Sequence, residues 1–286
     1  MIPSMHVLIA GCGWLGTALA RSLVGAGHRV TGIRRDPARA RELEALGIEA
    51  MALDLCDPGT ASRLPARLDW IVACQAAGAE GPDAYRQAYL AANLVLLSHA
   101  RSCNAKAFVY TGSTGVFGQS DGADVDESTP ASPASPTAEI LVEAERQVVD
   151  FGGRVVRLSG LYGPGRLGVI DRVRTGKLAL GPGDDTWTNW CHQEDAVGVV
   201  LAALERGRAG ATYHGSDAEP LRRRDLVKWV CGKYGFEPHR STEFSLGRGA
   251  NRRILSERTR AELGVTLRYP SVRNGLEAAL SRTNTD

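Results

Sequence analysis

Six short apolar runs recur along the first 160 residues: HVLIA (6–10), RVTGI (29–33), EAMAL (49–53), WIVAC (70–74), AFVYT (107–111) and RVVRL (154–158). Between them the apolar positions switch to helical spacing, as in WLGTALARSLVGAG (14–27) and DAYRQAYLAANLVLLSHARS (83–102). Near-continuous apolar strands alternating with helices predict a parallel sheet buried on both faces, because each crossover lays a helix on the sheet. The right-handed crossover rule then makes a doubly wound α/β sheet the expected architecture.

After residue 160 the pattern changes. GLYGPGRLG (160–168) and LALGPGDDTW (178–187) are Gly/Pro-rich loops, EDAVGVVLAALERG (194–207) is a helix and ATYHG (211–215) a short strand. Helical patterns follow near 221–235, 255–263 and 271–281, which is too little alternation for a second parallel sheet. The expected division is a first domain over 1–162, completed by about 189–215. A small, mostly helical C-terminal lobe would then cover 163–188 and 216–286. STPASPASP (128–136) is the one low-complexity stretch; it leads into a helix that Ser135 can cap and Pro136 can start.

Composition narrows the functional classes. The 286 residues are 43% hydrophobic and 23% charged, with a net charge of +2, and they hold no dense basic run that would mark a nucleic-acid surface. RRR at 222–224 reads as a solvated helix start. The six cysteines (12, 56, 74, 103, 191, 231) show no C-x-x-C and no histidine at ligand spacing. That spacing leads us to expect no metal site and a reducing compartment. MIPSMHVLIAG (1–11) has neither a basic lead nor a long apolar stretch, so we expect a cytoplasmic chain without a membrane partner.

The densest chemical signal is VLIAGCGWLGTALA (7–20), where Gly11, Gly13 and Gly16 form G-x-G-x-x-G between a strand and a helix. Gly11 permits the tight turn, Gly13 lets backbone approach a pyrophosphate, and Gly16 lets the helix pack close to the sheet. Trp14 and Leu15 begin that helix, whose N-terminus offers N–H groups to an anion. This is the Rossmann arrangement for a dinucleotide. The second strand ends VTGIRRD (30–36); a ribose 2′-phosphate calls for arginine there and a free 2′-OH for a carboxylate. Arg34 and Arg35 therefore favour NADP over NAD, while Asp36 before Pro37 reads as a helix cap.

With these motifs the chain resembles the extended short-chain dehydrogenase/reductases, the NAD(P)-dependent epimerase/dehydratase family. LDLCDP (53–58) is similar to the end of the family's third strand, and the resemblance implies adenine contacts from Asp54 and Leu55. CQAAG (74–78) is similar to the loop beside the cofactor, which brings in Ala76. TGSTGVFG (111–118) resembles the serine-bearing strand end, implying a catalytic place for Ser113 with Thr114 beside it. VVRLSGLYGPGR (155–166) and NWCHQEDAVGVVLAALE (189–205) match later motifs. By position they imply a cofactor contact from Tyr162 and substrate contacts from Arg166, Trp190 and His192.

Two departures separate this chain from typical members. Ala10 stands where the extended family's first loop has glycine. Aligning the family's downstream glutamate with Glu145 puts Thr137 and Leu141 at the positions of the Tyr-x-x-x-Lys acid/base pair, and none of the seven tyrosines is followed by lysine four residues on. The chain is thus similar to the atypical members labelled nucleoside-diphosphate-sugar epimerases. A small-molecule substrate is expected, either a nucleotide sugar or a small carbonyl or hydroxyl compound, and the resemblance carries over a homodimer. The alternative is a non-catalytic NADP(H)-binding sensor or scaffold. Ser113 and Thr114 could equally hydrogen-bond loop backbone, and Glu143 and Glu145 read as surface or packing charges.

Overall fold

The computed structural model describes residues 3–242 and 251–283. Its strands are β1 (His6–Ala10), β2 (Arg29–Arg34), β3 (Glu49–Ala52), β4 (Trp70–Ala73), β5 (Ala107–Ser113), β6 (Asp124–Val125) and β7 (Arg154–Leu158). They continue with β8 (Gly160–Tyr162), β9 (Trp187–Thr188), β10 (Trp190–His192), β11 (Thr212–Gly215), β12 (Leu221–Arg222) and β13 (Arg253–Ile254). The helices are α1 (Trp14–Gly25), α2 (Pro37–Arg41), α3 (Pro82–Tyr85), α4 (Ala92–Ser102) and α5 (Pro136–Phe151). After them come α6 (Gly168–Arg174), α7 (Gln193–Arg206), α8 (Arg223–Tyr234), α9 (Glu257–Leu263) and α10 (Val272–Thr283).

Seven strands form one sheet in the order β11-β7-β5-β4-β1-β2-β3, the doubly wound pattern expected from the alternation of apolar runs. The pairings β3–β2, β2–β1, β1–β4 and β4–β5 are all parallel, with Val7 opposite both Val30 and Trp70. Val7 to Ala10 are fully buried, as a strand covered on both faces requires. The order reverses between β1 and β4. In open α/β sheets that reversal opens a crevice at the carboxyl ends of the strands, where ligands bind.

The chain divides into two compact units. The first comprises Met1–Ser113, Ser135–Arg157 and Val197–Tyr213. Its core joins Leu8, Ile71, Phe108 and Val155 of the sheet to Leu96 of α4 and Val148 of α5. Helix α5 starts as read from sequence: Ser135 accepts a hydrogen bond from Ala138 N at 3.2 Å, and Pro136 takes the first turn.

The second unit comprises Thr114–Ala134, Leu158–Ala196 and His214–Asp286. It holds three two-stranded ribbons, β8–β10, β9–β12 and β6–β13. Its apolar core gathers Tyr162, Val169, Val173, Leu226, Val230 and Leu276 from β8, α6, α8 and α10. The Ser/Pro run is tied down here, with Ser132 N donating to Val116 O at 3.0 Å. The 222–224 arginines start α8 as expected and Arg224 is exposed there, but the other two are not simply solvated. Arg223 is buried, and Arg222 lies 3.7 Å from the centre of the Trp187 ring. Among the described residues, no helix is long and apolar enough to cross a membrane.

Candidate functional site

In the first unit the β1–α1 turn is built by contacts that only glycine tolerates. Gly11 has φ +84°, and a Cβ on it would lie 2.4 Å from the Gln75 backbone at the end of β4. A Cβ on Gly16 would come within 2.5 Å of Gly11 O, so α1 lies directly against the turn. Gly13 differs, because a Cβ there would meet only Gly11 O, at 4.0 Å. No side chain caps α1, and its first turn holds no acidic residue. The positive end of the helix therefore carries no internal counter-charge, beside a glycine with open space around it. These residues fit a dinucleotide pyrophosphate.

The two arginines at the end of β2 have separate surroundings. Arg34 Nε donates to Cys12 O, its Nη2 to Thr17 Oγ1 at 3.1 Å and its Nη1 to Arg39 O at 3.1 Å. Arg34 thus braces the glycine turn against the start of α2, and Asp36 caps that helix by accepting from Ala38 N at 2.8 Å. Arg35 is exposed and has no hydrogen bond or ion pair among the described residues. Its guanidinium lies beside Gly78, where a Cβ would sit 2.5 Å from Nη2.

Asp54 accepts from Cys56 N at 2.9 Å and Leu55 is buried, which fixes the turn after β3. Beside Ala76, the N–H of Ala77 donates to Tyr89 Oη at 3.3 Å and anchors the loop after β4. Ser113 is the last residue of β5. On α5, Thr137 Oγ1 lies 3.1 Å from Ser135 Oγ, and Leu141 is buried. One turn further on, Glu145 is not a surface charge. It is buried and paired with Arg157, whose Nη2 lies 2.7 Å from Oε2. Burial pushes the Glu145 carboxyl up, against the pull of Arg157. Its Oε1 would lie only 3.0 Å from a Cβ on Gly112, next to Ser113.

In the second unit, Thr114 is buried and its Oγ1 donates to Leu158 O at 3.4 Å. Tyr162 is 1% exposed and its hydroxyl donates to Ser271 O at 3.3 Å. A Cβ on Gly275 would sit 2.3 Å from that hydroxyl, so the ring is packed against α10. Burial raises the Tyr162 phenol well above its ordinary range. His192 is buried with its ring 3.9 Å from that of Tyr269, and its Nδ1 accepts from Glu194 N at 3.2 Å. The Trp190 ring meets Tyr162 edge-on at 6.2 Å. Arg166 is exposed in a tight turn closed by its N–H on Gly163 O at 2.9 Å. Arg252 stood outside the residues singled out from sequence. Its Nη2 donates to Thr114 O at 2.6 Å.

The doubly wound sheet and the uncapped helix behind a glycine turn define a Rossmann-type fold of the kind that binds dinucleotides. The chain belongs to the NAD dependent epimerase/dehydratase family, whose model matches residues 7–215. Among its relatives is the protein YeeZ of Escherichia coli, 30% identical over 92% of this chain and 96% of that one. Another is the 3-diazoavenalumate denitrifying reductase of Streptomyces, 29% identical over 95% of this chain and 99% of that protein. A candidate NAD-dependent epimerase/dehydratase from Methylobacillus flagellatus superposes with a TM-score of 0.79, at 28% identity over 98% of this chain and 99% of its own. The fold is also that of the dTDP-glucose 4,6-dehydratase DesIV of Streptomyces venezuelae, with a TM-score of 0.82 at 20% identity over 99% and 98% of the two chains.

Proposed function

We propose that the chain is an NADP(H)-dependent enzyme acting on a small polar carbonyl or hydroxyl substrate, nucleotide-linked sugars included. The observation that carries this reading is Arg35: it directly follows β2 and has no hydrogen bond or ion pair among the described residues, where a 2′-phosphate requires a cation. The open space at Gly13 and the uncapped start of α1 support a pyrophosphate beside Trp14 and Leu15. Asp54, Leu55 and Ala76 lie on the loops after β3 and β4 that would carry the adenosine half. Two family relatives named 2-alkyl-3-oxoalkanoate reductase, together with the Streptomyces reductase, support a reductive reaction.

The bound nicotinamide would supply or accept a hydride. Ser113 would hydrogen-bond the substrate oxygen, with Thr114 holding the adjoining backbone. Thr137 and Leu141 can neither donate nor take a proton near neutrality, so water at Ser113 would exchange it. Loss of a positioned acid/base costs about 10²–10⁴-fold in rate, and turnover should be correspondingly slow. The reading places the protein in the cytoplasm, as a homodimer without nucleic-acid or membrane partners.

Calorimetry with NADPH and NADH, followed by NADPH oxidation assays on small carbonyls and nucleotide sugars, tests it. We expect tighter NADPH binding and turnover that Ser113→Ala abolishes. No NADPH binding, or turnover indifferent to Ser113→Ala, would overturn it. The burial of Leu141 and the pairing of Thr137 with Ser135 favour a second reading, a non-catalytic NADP(H) sensor. A sensor must bind NADPH and NADP⁺ with different affinities and catalyse nothing.

A further inference from the structure

Around the crevice of the first unit, Gly11 and Gly16 are demanded by backbone that presses on them, and Gly78 is not. Gly78 stands on the loop after β4, is exposed and has no left-handed φ. The three atoms nearest to a Cβ placed on it all belong to the Arg35 guanidinium: Nη2 at 2.5 Å, Cζ at 3.4 Å and Nη1 at 3.5 Å. No backbone atom and no core side chain is among them. What the missing side chain makes room for is therefore the head of Arg35, and a methyl group at this position would take its place.

This contact spans the glycine turn. β1 lies between β2 and β4 in the sheet, so a side chain that leaves the end of β2 and touches the loop after β4 passes over the carboxyl end of β1. Both banks are held. Arg34 is tied to Cys12, Thr17, Arg39 and Glu42, and Asp36 caps α2, so the Arg35 backbone is fixed from both sides. Across the crevice, Cys74 N donates to Ala10 O at 2.7 Å and Ala77 N to Tyr89 Oη at 3.3 Å. On the loop after β3, burial and Asp54 push the Cys56 thiol up while the Arg35 charge pulls it back, so the guanidinium lies within reach of that loop as well. Only the Arg35 side chain remains free to move, and Gly78 is the surface it rests on.

We propose that Gly78 is a specificity residue for the cofactor: its bare backbone is the seat that holds the Arg35 guanidinium over the glycine turn, in place for a ribose 2′-phosphate. The inference rests on the reading of Arg35 as the 2′-phosphate cation, and it names the residue that positions that cation. A long exposed side chain gives up rotamers when it binds, and a seat that restrains them beforehand is worth about two- to twelve-fold in affinity. NADH carries no 2′-phosphate and gains nothing from the seat.

Calorimetry of NADPH and NADH binding to the full chain, Gly78→Ala, Arg35→Ser and the double variant tests it. We expect Gly78→Ala to weaken NADPH about two- to twelve-fold and to leave NADH affinity as it is. Once Arg35 is serine, the change at Gly78 should do nothing further, because the two residues act through one contact. Gly78→Ser brings the same Cβ and must repeat the NADPH loss. Urea melts of both variants should match wild type, since the atoms displaced are the end of one exposed side chain. If both variants fail to fold, the backbone and not Arg35 requires glycine here, and the inference is overturned. Unchanged or tighter NADPH binding in Gly78→Ala also overturns it. So does an equal loss of NADPH and NADH, or an NADPH loss that persists beside Arg35→Ser, either of which would mean that the new methyl touches the nucleotide itself. The Arg35→Ser variant separates this inference from the reading beneath it. If Arg35→Ser costs NADPH affinity and Gly78→Ala does not, this inference alone falls. If wild type takes no NADPH, or Arg35→Ser binds it as tightly as wild type, the 2′-phosphate reading falls and this inference falls with it.

Discussion

Arg157 and Glu145 face each other from β7 and α5, with Nη2 2.7 Å from Oε2 and Nε 3.1 Å from both carboxylate oxygens. Their side chains keep only 9% and 5% of their surface exposed. Such a pair gains little over an apolar replacement, but breaking it strands a charge in the core. Arg157→Met should therefore cost about 3–5 kcal/mol in urea unfolding. The double variant Glu145→Leu/Arg157→Met should recover most of that loss. If the single variant is as stable as the double, the pair is not what keeps Glu145 tolerable in the core.

This pair also marks where reading from sequence stops. The strands and the glycine turn were legible because they are local: period, turn chemistry and caps are written within a few residues, as at Asp36–Pro37 and Ser135–Pro136. Glu145 reads as a surface or packing charge and Arg157 as one polar position of an apolar strand, and only the laying of α5 against the sheet brings the two together in the core. Arg252 was missed for a similar reason. It follows Asn251 in a polar tail, and only the pairing of β13 with β6 (Arg253 opposite Asp124) carries it to Thr114. The solvated reading of Arg223 failed because the docking of α8 buries that position, which no charge count can show. The candidate catalytic end of β5 was legible as a motif, whereas the partners that fix it come from distant segments.

The three glycines of the first turn should separate by substitution. Gly11→Ala forces a left-handed backbone onto alanine and drives a Cβ to 2.4 Å from Gln75, so it should lower the melting temperature and abolish cofactor binding together. Gly16→Ala, against Gly11 O at 2.5 Å, should behave alike. Gly13→Ala has room, so its melting temperature should stay close to wild type while NADPH affinity falls ten-fold or more. Unaltered NADPH affinity in Gly13→Ala would remove this turn from the cofactor site.

Arg34 and Arg35 should part in the same manner. Arg35→Ser removes a cation with no hydrogen bond or ion pair among the described residues, so NADPH affinity should fall at least ten-fold, NADH affinity should hardly change and the fold should be unaffected. Arg34→Ala removes four side-chain hydrogen bonds, to Cys12, Thr17, Arg39 and Glu42, so both cofactors should weaken together and stability should drop by about 1–3 kcal/mol. Calorimetry with each cofactor and urea melts read the two effects separately. Equal NADPH and NADH losses in Arg35→Ser would argue against 2′-phosphate recognition there.

Asp217 should give the second unit a pH dependence of definite sign. It is 3% exposed; Oδ2 accepts from Val272 N at 3.1 Å at the start of α10, and Oδ1 is buried with no partner among the described residues. Burial pushes its carboxyl well above the ordinary 3.8, the nearby Glu219 and Asp195 charges push the same way, and the Val272 N–H pulls against them. The native state therefore keeps this proton where the unfolded chain has released it. The stability this group contributes is full below the unfolded value of 3.8 and is lost as pH rises through the higher folded value. Asn at this position cannot titrate. The stability of Asp217→Asn relative to wild type should accordingly increase with pH above about 4, by at most about 1.4 kcal/mol per pH unit. Urea unfolding of both chains across a pH series reads the difference directly. A gap that stays constant with pH would mean that the carboxyl titrates alike in both states, and that its burial costs nothing in charge.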